Sequence, residues 1–355
     1  MKQYKILTIN IGSTSTKIAY YENEECKVKT NLDHSVQELA AFDDLMDQDG
    51  YRRGAIEKFL KDNGIDVAQL DAIASRGGHT KPLVGGVYQI NETMLEQQAS
   101  GLYGRHACDV GSKIAYKMSQ GSKILPVVVD PPVTDEFTEV ARLSGHPEMP
   151  RKSSFHALNH RATGKRFAKD KGMKYEELNL IIAHMGGGIT VAAHAKGKMI
   201  DATNGIDGDG PFSTNRTGGL PVGALVKLCF SGRYTHKEVE KMLNGEGGLT
   251  AYLKENDVRT VEEKAATDEY FALCLEGMIY QTCKEIAAMG AVLEGKVDAI
   301  VITGGIANSK KITARMQERI GFIAPVTLYP GENEMDALAL GTLEALRGNE
   351  PLKSL

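Results

Sequence analysis

The sequence predicts an α/β chain built from two copies of one unit, each running β-β-β-α-β-α-β and closing on a helix, a duplicated βββαβαβα plan. Three observations lead there. An apolar run of strand length (Ile6, Leu7, Ile9, Ile11) is followed by a polar turn at 12–16 and a second strand over 17–21. The same grammar returns as an apolar strand at 178–184, a glycine turn at 185–188 and a strand at 189–194. After each hairpin, strands alternate with helical stretches, the pattern of a largely parallel sheet with helices on its faces.

Taken in order, a third strand is expected over 26–34. A helix over 51–63 carries Ile56, Phe59 and Leu60 at helical spacing and stops at Gly64. Strand 70–75 delivers Arg76-Gly77-Gly78-His79 at its C-terminal end. Helices over 91–100 and 105–118 precede strand 124–129, Ile-Leu-Pro-Val-Val-Val, which ends on Asp130-Pro131-Pro132. Helix 155–171 leads into the second hairpin, whose third strand is 199–202. Helix 221–230 has Pro221 at its first position. Helix 235–244 opens on a capping box, Thr235 with Glu238. The long periodic helix 268–293 follows. Strand 299–303 runs into Gly304-Gly305, and strand 326–329 and helix 335–346 close the chain. The division read from this order is 1–154 plus 335–355 as an N-terminal lobe and 155–334 as a C-terminal lobe. Two lobes with a glycine loop each suggest halves facing a cleft, with strand ends turning Arg76, Asp130, His184 and Gly304 toward it.

Composition narrows the function. The 355 residues are 42% hydrophobic and 25% charged, and the net charge of −4 argues against nucleic-acid binding by bulk electrostatics. No apolar run reaches membrane-spanning length, and the chain enters a strand at once with no leader pattern, so neither is expected. The five cysteines, Cys26, Cys108, Cys229, Cys274 and Cys283, are never spaced C-x-x-C and read as reduced thiols of a cytoplasmic protein. In the first turn every non-glycine residue carries a hydroxyl, and Lys17 follows it. Crowded neutral donors beside one cation suit phosphate. The turn lacks the second glycine and the following helix of a Walker A loop.

These residues carry a resemblance. The layout is similar to that of the actin, heat-shock ATPase and sugar-kinase superfamily, whose ribonuclease-H-like lobes face an ATP cleft. Within it, Asn10-Ile11-Gly12-Ser13-Thr14-Ser15-Thr16-Lys17 resembles the Asn-x-Gly-Ser-x-Ser-x-Lys signature of acetate and butyrate kinases, and His184-Met185-Gly186-Gly187-Gly188 resembles their His-Leu-Gly-x-Gly. The likeness extends to Arg76-Gly77-Gly78, Asp130, Phe155-His156 with His160, Asn215-Arg216-Thr217-Gly218, Gly304-Gly305-Ile306 and Asn333-Glu334. Asp130-Pro131-Pro132-Val133-Thr134, Gly187 and Gly208-Asp209-Gly210-Pro211 depart from the acetate branch and are similar to the butyrate branch, which includes branched-chain fatty acid kinases.

The resemblance implies ATP plus a short-chain carboxylate giving ADP and an acyl phosphate, reversibly and with Mg²⁺. A carboxyl group with a pKa of about 4 is already ionised at neutral pH, so no general base is required. Catalysis is then positioning and charge neutralisation. Arg76 would grip the carboxylate and Arg216 the equatorial phosphoryl oxygens. His184 would donate to the γ-phosphoryl, with His156 supporting the substrate side. Asn10, Ser13, Ser15 and Lys17 would line the phosphate tail with Gly186 and Gly187, and Gly304 and Gly305 would admit the adenosine. Asp130 and Glu334 would hold Mg²⁺. Phe155 would border the acyl pocket unless it is simply core. A homo-oligomer is expected. Isobutyrate, isovalerate, propionate or acetate could replace butyrate, and an actin-like ATPase scaffold or a phosphatase acting on phosphate chains remain as alternatives.

Overall fold

A computed structural model describes residues 2–331 and 333–355. By packing, the chain separates into one unit of Met1–Asp135 with Asn333–Leu355 and a second of Glu136–Glu332. Residues 136–154 group with the second unit, and Asn333 and Glu334 with the first, whereas the sequence pattern places the divisions at 154/155 and 334/335.

The first unit holds strands β1 (Lys5–Ile11), β2 (Ser15–Glu22), β3 (Glu25–Asp33), β4 (Ala72–Ser75), β5 (Val87–Gln89) and β6 (Leu125–Val129). The second holds β7 (Asn179–Met185), β8 (Ile189–Ala195), β9 (Lys198–Ala202), β10 (Ala299–Gly304) and β11 (Val326–Pro330), and the first is completed by β12 (Leu352–Lys353). The sheet orders are β12-β5-β6-β4-β1-β2-β3 and β11-β10-β7-β8-β9. Reading third, second, first, fourth, fifth, the two cores are the same: an antiparallel hairpin and third strand, then two parallel neighbours. The duplicated α/β plan is therefore present.

Burial explains why these runs are strands. β7 and β10 are central and covered on both faces, so Leu180, Ile181, Ile182 and Ala183 are all fully buried, as are Ile300, Val301 and Ile302. Each of the leucine, isoleucine and valine side chains contributes about 1.5–3 kcal/mol by leaving water. β3 lies at a sheet edge and instead alternates between half-buried and exposed residues. Helix Glu269–Val292 is capped by Asp268, whose carboxylate accepts from the Tyr270 and Phe271 amides, and packs on β7 and β8. The capping box expected at Thr235 and Glu238 is formed. Helix Ala157–Asp170 packs on β7 and β10, whereas Glu334–Leu346 packs on β1, β4 and β6. The helix after each fifth strand thus belongs to the other unit's sheet.

Some elements were not anticipated. β5 and β12 are too short to leave a period. Helix Lys310–Ile320 was legible: Ile312, Met316 and Ile320 recur at helical spacing, and Ser309 accepts from the Ile312 amide. Helices Gly248–Leu253 and Val258–Lys264 are also present beyond the sequence expectation.

Candidate active site

In the first unit β1, β4 and β6 are parallel neighbours, and the register Ile9–Ser75–Val128 brings Asn10, Arg76 and Asp130 to the same end of the sheet. Helix Glu334–Leu346 begins there. Glu334 is buried; its Oε2 accepts from Asn10 Nδ2 at 2.6 Å, and its Oε1 lies 3.6 Å from Arg76 Nη1. Asn10 faces Lys17 across the β1–β2 hairpin. Ser13 is exposed and Ser15 half-buried in the turn between them. Asp130 is buried with φ at +40°, an uncommon value for a residue other than glycine. It is held from the start of the short strand β5: Gly86, just before β5, donates its amide to Asp130 Oδ1 at 2.8 Å and accepts from the Asp130 amide at 3.0 Å. Strain enforced by the surrounding structure is typical of functional positions.

The loop after Arg76 is latched from below. Asp109 Oδ1 accepts the His79 amide at 2.6 Å and Oδ2 the His106 amide at 2.7 Å. His79, Cys108 and Asp109 offer ligand atoms within 4.8 Å of one another. Both Asp109 oxygens carry main-chain bonds, so the carboxylate latches the loop, and burial pushes the Cys108 thiol up to about 12.

In the second unit β7 and β10 end together, with His184 opposite Thr303 and Gly304 next. Gly304 has φ +93°, and a Cβ there would fall 2.4 Å from the Met185 carbonyl oxygen, so close approach to the glycine turn requires glycine. In that turn the Gly186 amide donates to the Gly188 carbonyl, while Ser213 and Thr214 hydroxyls hold the Gly187 carbonyl. Open space lies over the α-carbons of Gly187 and Gly305. Arg216 lies against Gly188: a Cβ on that glycine would sit 2.4 Å from Arg216 Nη1. Arg216 Nε is buried without a hydrogen-bond partner, and burial lowers the guanidinium from its ordinary value with no carboxylate offsetting it among the described residues. A guanidinium does not lose its proton in a protein. Such a cation is a ready anion receptor.

His156 and His184 bring their ring centroids within 4.6 Å. Behind them runs a row of buried polar side chains. The Tyr175 hydroxyl meets His194 Nδ1 at 2.6 Å, His194 Nε2 is 3.4 Å from His160 Nδ1, and His160 Nε2 meets the Thr190 hydroxyl at 2.9 Å. Thr190 is the cross-strand neighbour of His184. Burial holds His194 down at about 3 and His160 well below its ordinary value, the neighbouring histidines adding to the latter. Neutral imidazoles donate at one nitrogen and accept at the other, so this row has a single direction and fixes the packing beneath His184. Phe155 is half-buried, edge-on to His160 at 5.2 Å and packed with Phe137, Ala141, Ala192 and Ala202. An open hollow of about 560 Å³ in the first unit, lined by Ile90, Asn91, Tyr116 and Gln120, holds none of these groups.

Known proteins resemble this chain over its length. Butyrate kinase 2 of Clostridium acetobutylicum is 48% identical over 352 residues, 99% of each chain. A probable butyrate kinase of Bacteroides thetaiotaomicron is 47% identical over 354 residues, 98% of this chain and 99% of the relative. Among solved structures, Porphyromonas gingivalis acetate kinase superposes with a TM-score of 0.82 at 19% identity, covering 97% of this chain and 100% of the other, and a Francisella tularensis propionate kinase with 0.76 at 19%, covering 95% and 98%. These two establish the fold, that of the actin-like ATPases. The acetokinase family model matches residues 147–333. With both sheets in the family's architecture and the relatives matched end to end, the chain belongs to the acetokinase family.

Proposed function

We propose that this protein transfers the γ-phosphoryl group of ATP to a short-chain carboxylate, butanoate in preference, giving ADP and butanoyl phosphate reversibly. The observation that carries the reading is Arg216, a half-buried guanidinium against Gly188 with no counter-charge among the described residues. The whole-chain likeness to butyrate kinases supports the choice of acceptor. A scaffold ATPase has no need of that cation or of Arg76.

Each requirement of the reaction has a candidate group. Arg76 takes the substrate carboxylate as a two-pronged donor. The carboxylate oxygen attacks the γ-phosphorus, the bond from that phosphorus to the bridging oxygen of ADP breaks, and no proton moves. Arg216 and His184 offset charge on the transferring oxygens, and His156 supports the ring of His184. Asn10, Ser13, Ser15 and Lys17 bind the phosphate tail, with Gly186 and Gly187. Gly304 and Gly305 leave room for the nucleoside. Asp130 and Glu334, two buried carboxylates, fit Mg²⁺, which takes one or two carboxylates together with phosphate oxygens and water. The ion supplies charge neutralisation on the phosphates. Asp130→Asn and Glu334→Gln are expected to raise the Mg²⁺ concentration giving half-maximal rate while far-UV circular dichroism stays unchanged; unaltered Mg²⁺ dependence in both removes them from the metal site.

The function is tested by trapping acyl phosphate as hydroxamate with ATP, Mg²⁺ and butyrate. Hydroxamate with no butyrate-independent loss of ATP supports the kinase, and ATP loss without it supports the alternatives. For chain length, Gly208-Asp209-Gly210-Pro211 carries little side-chain volume, and Phe155 is set to border the acyl group. Two further buried methylenes contribute about 1.6 kcal/mol, on the order of tenfold in kcat/KM for butyrate over acetate. Isobutyrate should also react. Acetate as the best of four acceptors (acetate, propionate, butyrate, isobutyrate) would overturn the preference and leave the carboxylate kinase standing.

A cytoplasmic setting suits five free thiols, and among the described residues no helix is long and apolar enough to cross a membrane. A homo-oligomer is supported by helix Val222–Cys229, which buries none of its residues and is followed by Phe230 at 87% exposure. Light scattering on the purified chain tests that.

A further inference from the structure

Helix Asp49–Asp62 turns Ile56, Phe59 and Leu60 into the core of the first unit, and the same stripe carries Arg52, which is 0% exposed. A cation there is costly unless its donors are satisfied. Among the described residues its hydrogen-bond partners are all neutral. Arg52 Nε donates to Gln48 Oε1 at 3.0 Å. Nη1 donates to the Ser15 carbonyl at 2.8 Å and the Thr16 hydroxyl at 3.1 Å, and Nη2 to the Ser13 carbonyl at 3.0 Å. Among the described residues no carboxylate pairs with it. Burial lowers its pKa, and the nearby Tyr51 is the opposing influence. Thr16 is shared with His34 Nε2 at 2.8 Å, and burial together with the Arg52 charge lowers that histidine.

The partners have a direction. Two of them are carbonyls of the turn between β1 and β2. In a planar trans peptide the carbonyl and the following N–H point opposite ways. With the Ser13 carbonyl drawn onto the guanidinium, the Thr14 amide faces away from it, on the side where Ser13 and Thr14 are exposed. The Gly12 amide closes the turn on the Ser15 carbonyl at 2.9 Å, so that oxygen is held twice.

We propose that Arg52 is a positioning residue for nucleotide phosphates: it clamps the carbonyl side of the β1–β2 turn inward, leaves the donor side outward, and sets an unneutralised charge beneath it. This rests on the reading that the turn takes the phosphate tail of ATP. Arg52 touches no substrate; it acts through Ser13, Ser15 and Thr16. A phosphate chain is the ligand class such a turn favours, because turn dipoles and the buried cation both raise the local positive potential.

The test uses the full chain with Arg52→Gln and Arg52→Lys, and equilibrium binding of adenosine, ADP and ATP beside steady-state kinetics. Arg52→Gln is expected to weaken ADP and ATP about 10- to 100-fold, the usual reach of a residue that orients direct ligands. Adenosine affinity and the KM for butyrate should hold within about twofold. Arg52→Lys keeps the charge without the fork and should fall between. Equal losses for adenosine and ATP, or for ATP and butyrate, would mean general destabilisation and overturn the proposal. Should Arg52→Gln not fold, the same pattern is read from Arg52→Lys and from Arg52→Ala with guanidinium added back, where restored ATP binding supports the proposal and restored folding without it overturns it. Ser15→Ala and Lys17→Gln separate the underlying reading. If they leave ATP affinity unchanged, the turn is not the phosphate site. If they weaken it while Arg52→Gln does not, the Arg52 proposal alone falls.

Discussion

Arg216→Ala is expected to lower kcat by about 10³-fold while the melting temperature stays unchanged or rises. The guanidinium is half-buried, yet its Nε has no partner, and no carboxylate offsets its charge among the described residues. Removing a desolvated, unpaired charge relieves a cost the fold carries. The activity should move the other way, because a cation aimed at developing negative charge contributes mainly in the transition state. The loss corresponds to about 4 kcal/mol. It should appear in kcat and kcat/KM together, with little change in KM for ATP. Arg216→Lys should recover little, since a point charge does not reproduce the planar fork. Steady-state kinetics and calorimetry on the same preparations check both halves. A variant that melts well below the wild type and loses activity in proportion would place Arg216 among structural residues.

The parts of this molecule legible in the sequence share a physical property: their signal is local. β1, β7 and β10 are buried on both faces, so they read as continuous apolar runs, and the hairpin turns announce themselves by glycine and hydroxyl content. The duplication followed because the runs and turns recur in the same order. What escaped depends on distant partners. β5 is three residues long and is defined by pairing with β6, yet Gly86 at its start fixes Asp130. Arg52 did leave a signal: it stands four residues before Ile56 on the buried stripe of its helix, where a charge is out of place unless it has work to do. The row from Tyr175 through His194 and His160 to Thr190 joins one turn, one strand and a helix, and no spacing in the chain announces it. For the candidate site, residue types and strand ends were readable. The latch of Asp109, the sharing of Glu334 by Asn10 and Arg76, and the seat of Arg216 against Gly188 arise from packing.

Arg76→Ala should lower kcat/KM for butyrate by about 2–5 kcal/mol, on the order of 30- to several-thousand-fold, and leave ATP affinity nearly untouched. Arg76 follows β4 at the sheet end, its amide tied to the Ile9 carbonyl at 3.3 Å, with the side chain 28% exposed. Its internal partner, Glu334 Oε1, stands at 3.6 Å, too far for a strong hydrogen bond. The guanidinium is therefore anchored by its backbone and only loosely held at its tip, and a substrate carboxylate can take it with two short bonds. The loss should sit in KM for the carboxylate as well as in kcat, because the grip forms on binding and persists through transfer. Arg76→Lys should show an intermediate loss. His106 supplies an independent reporter. Burial lowers its pKa, and the Arg76 charge lowers it further. Removing Arg76 should move His106 upward, and so should saturating the wild type with butyrate, whose carboxylate neutralises the same charge. Nuclear magnetic resonance titration of the histidines reads both shifts. Equal losses for ATP and butyrate, with no movement of His106 on butyrate binding, would take the carboxylate grip away from Arg76.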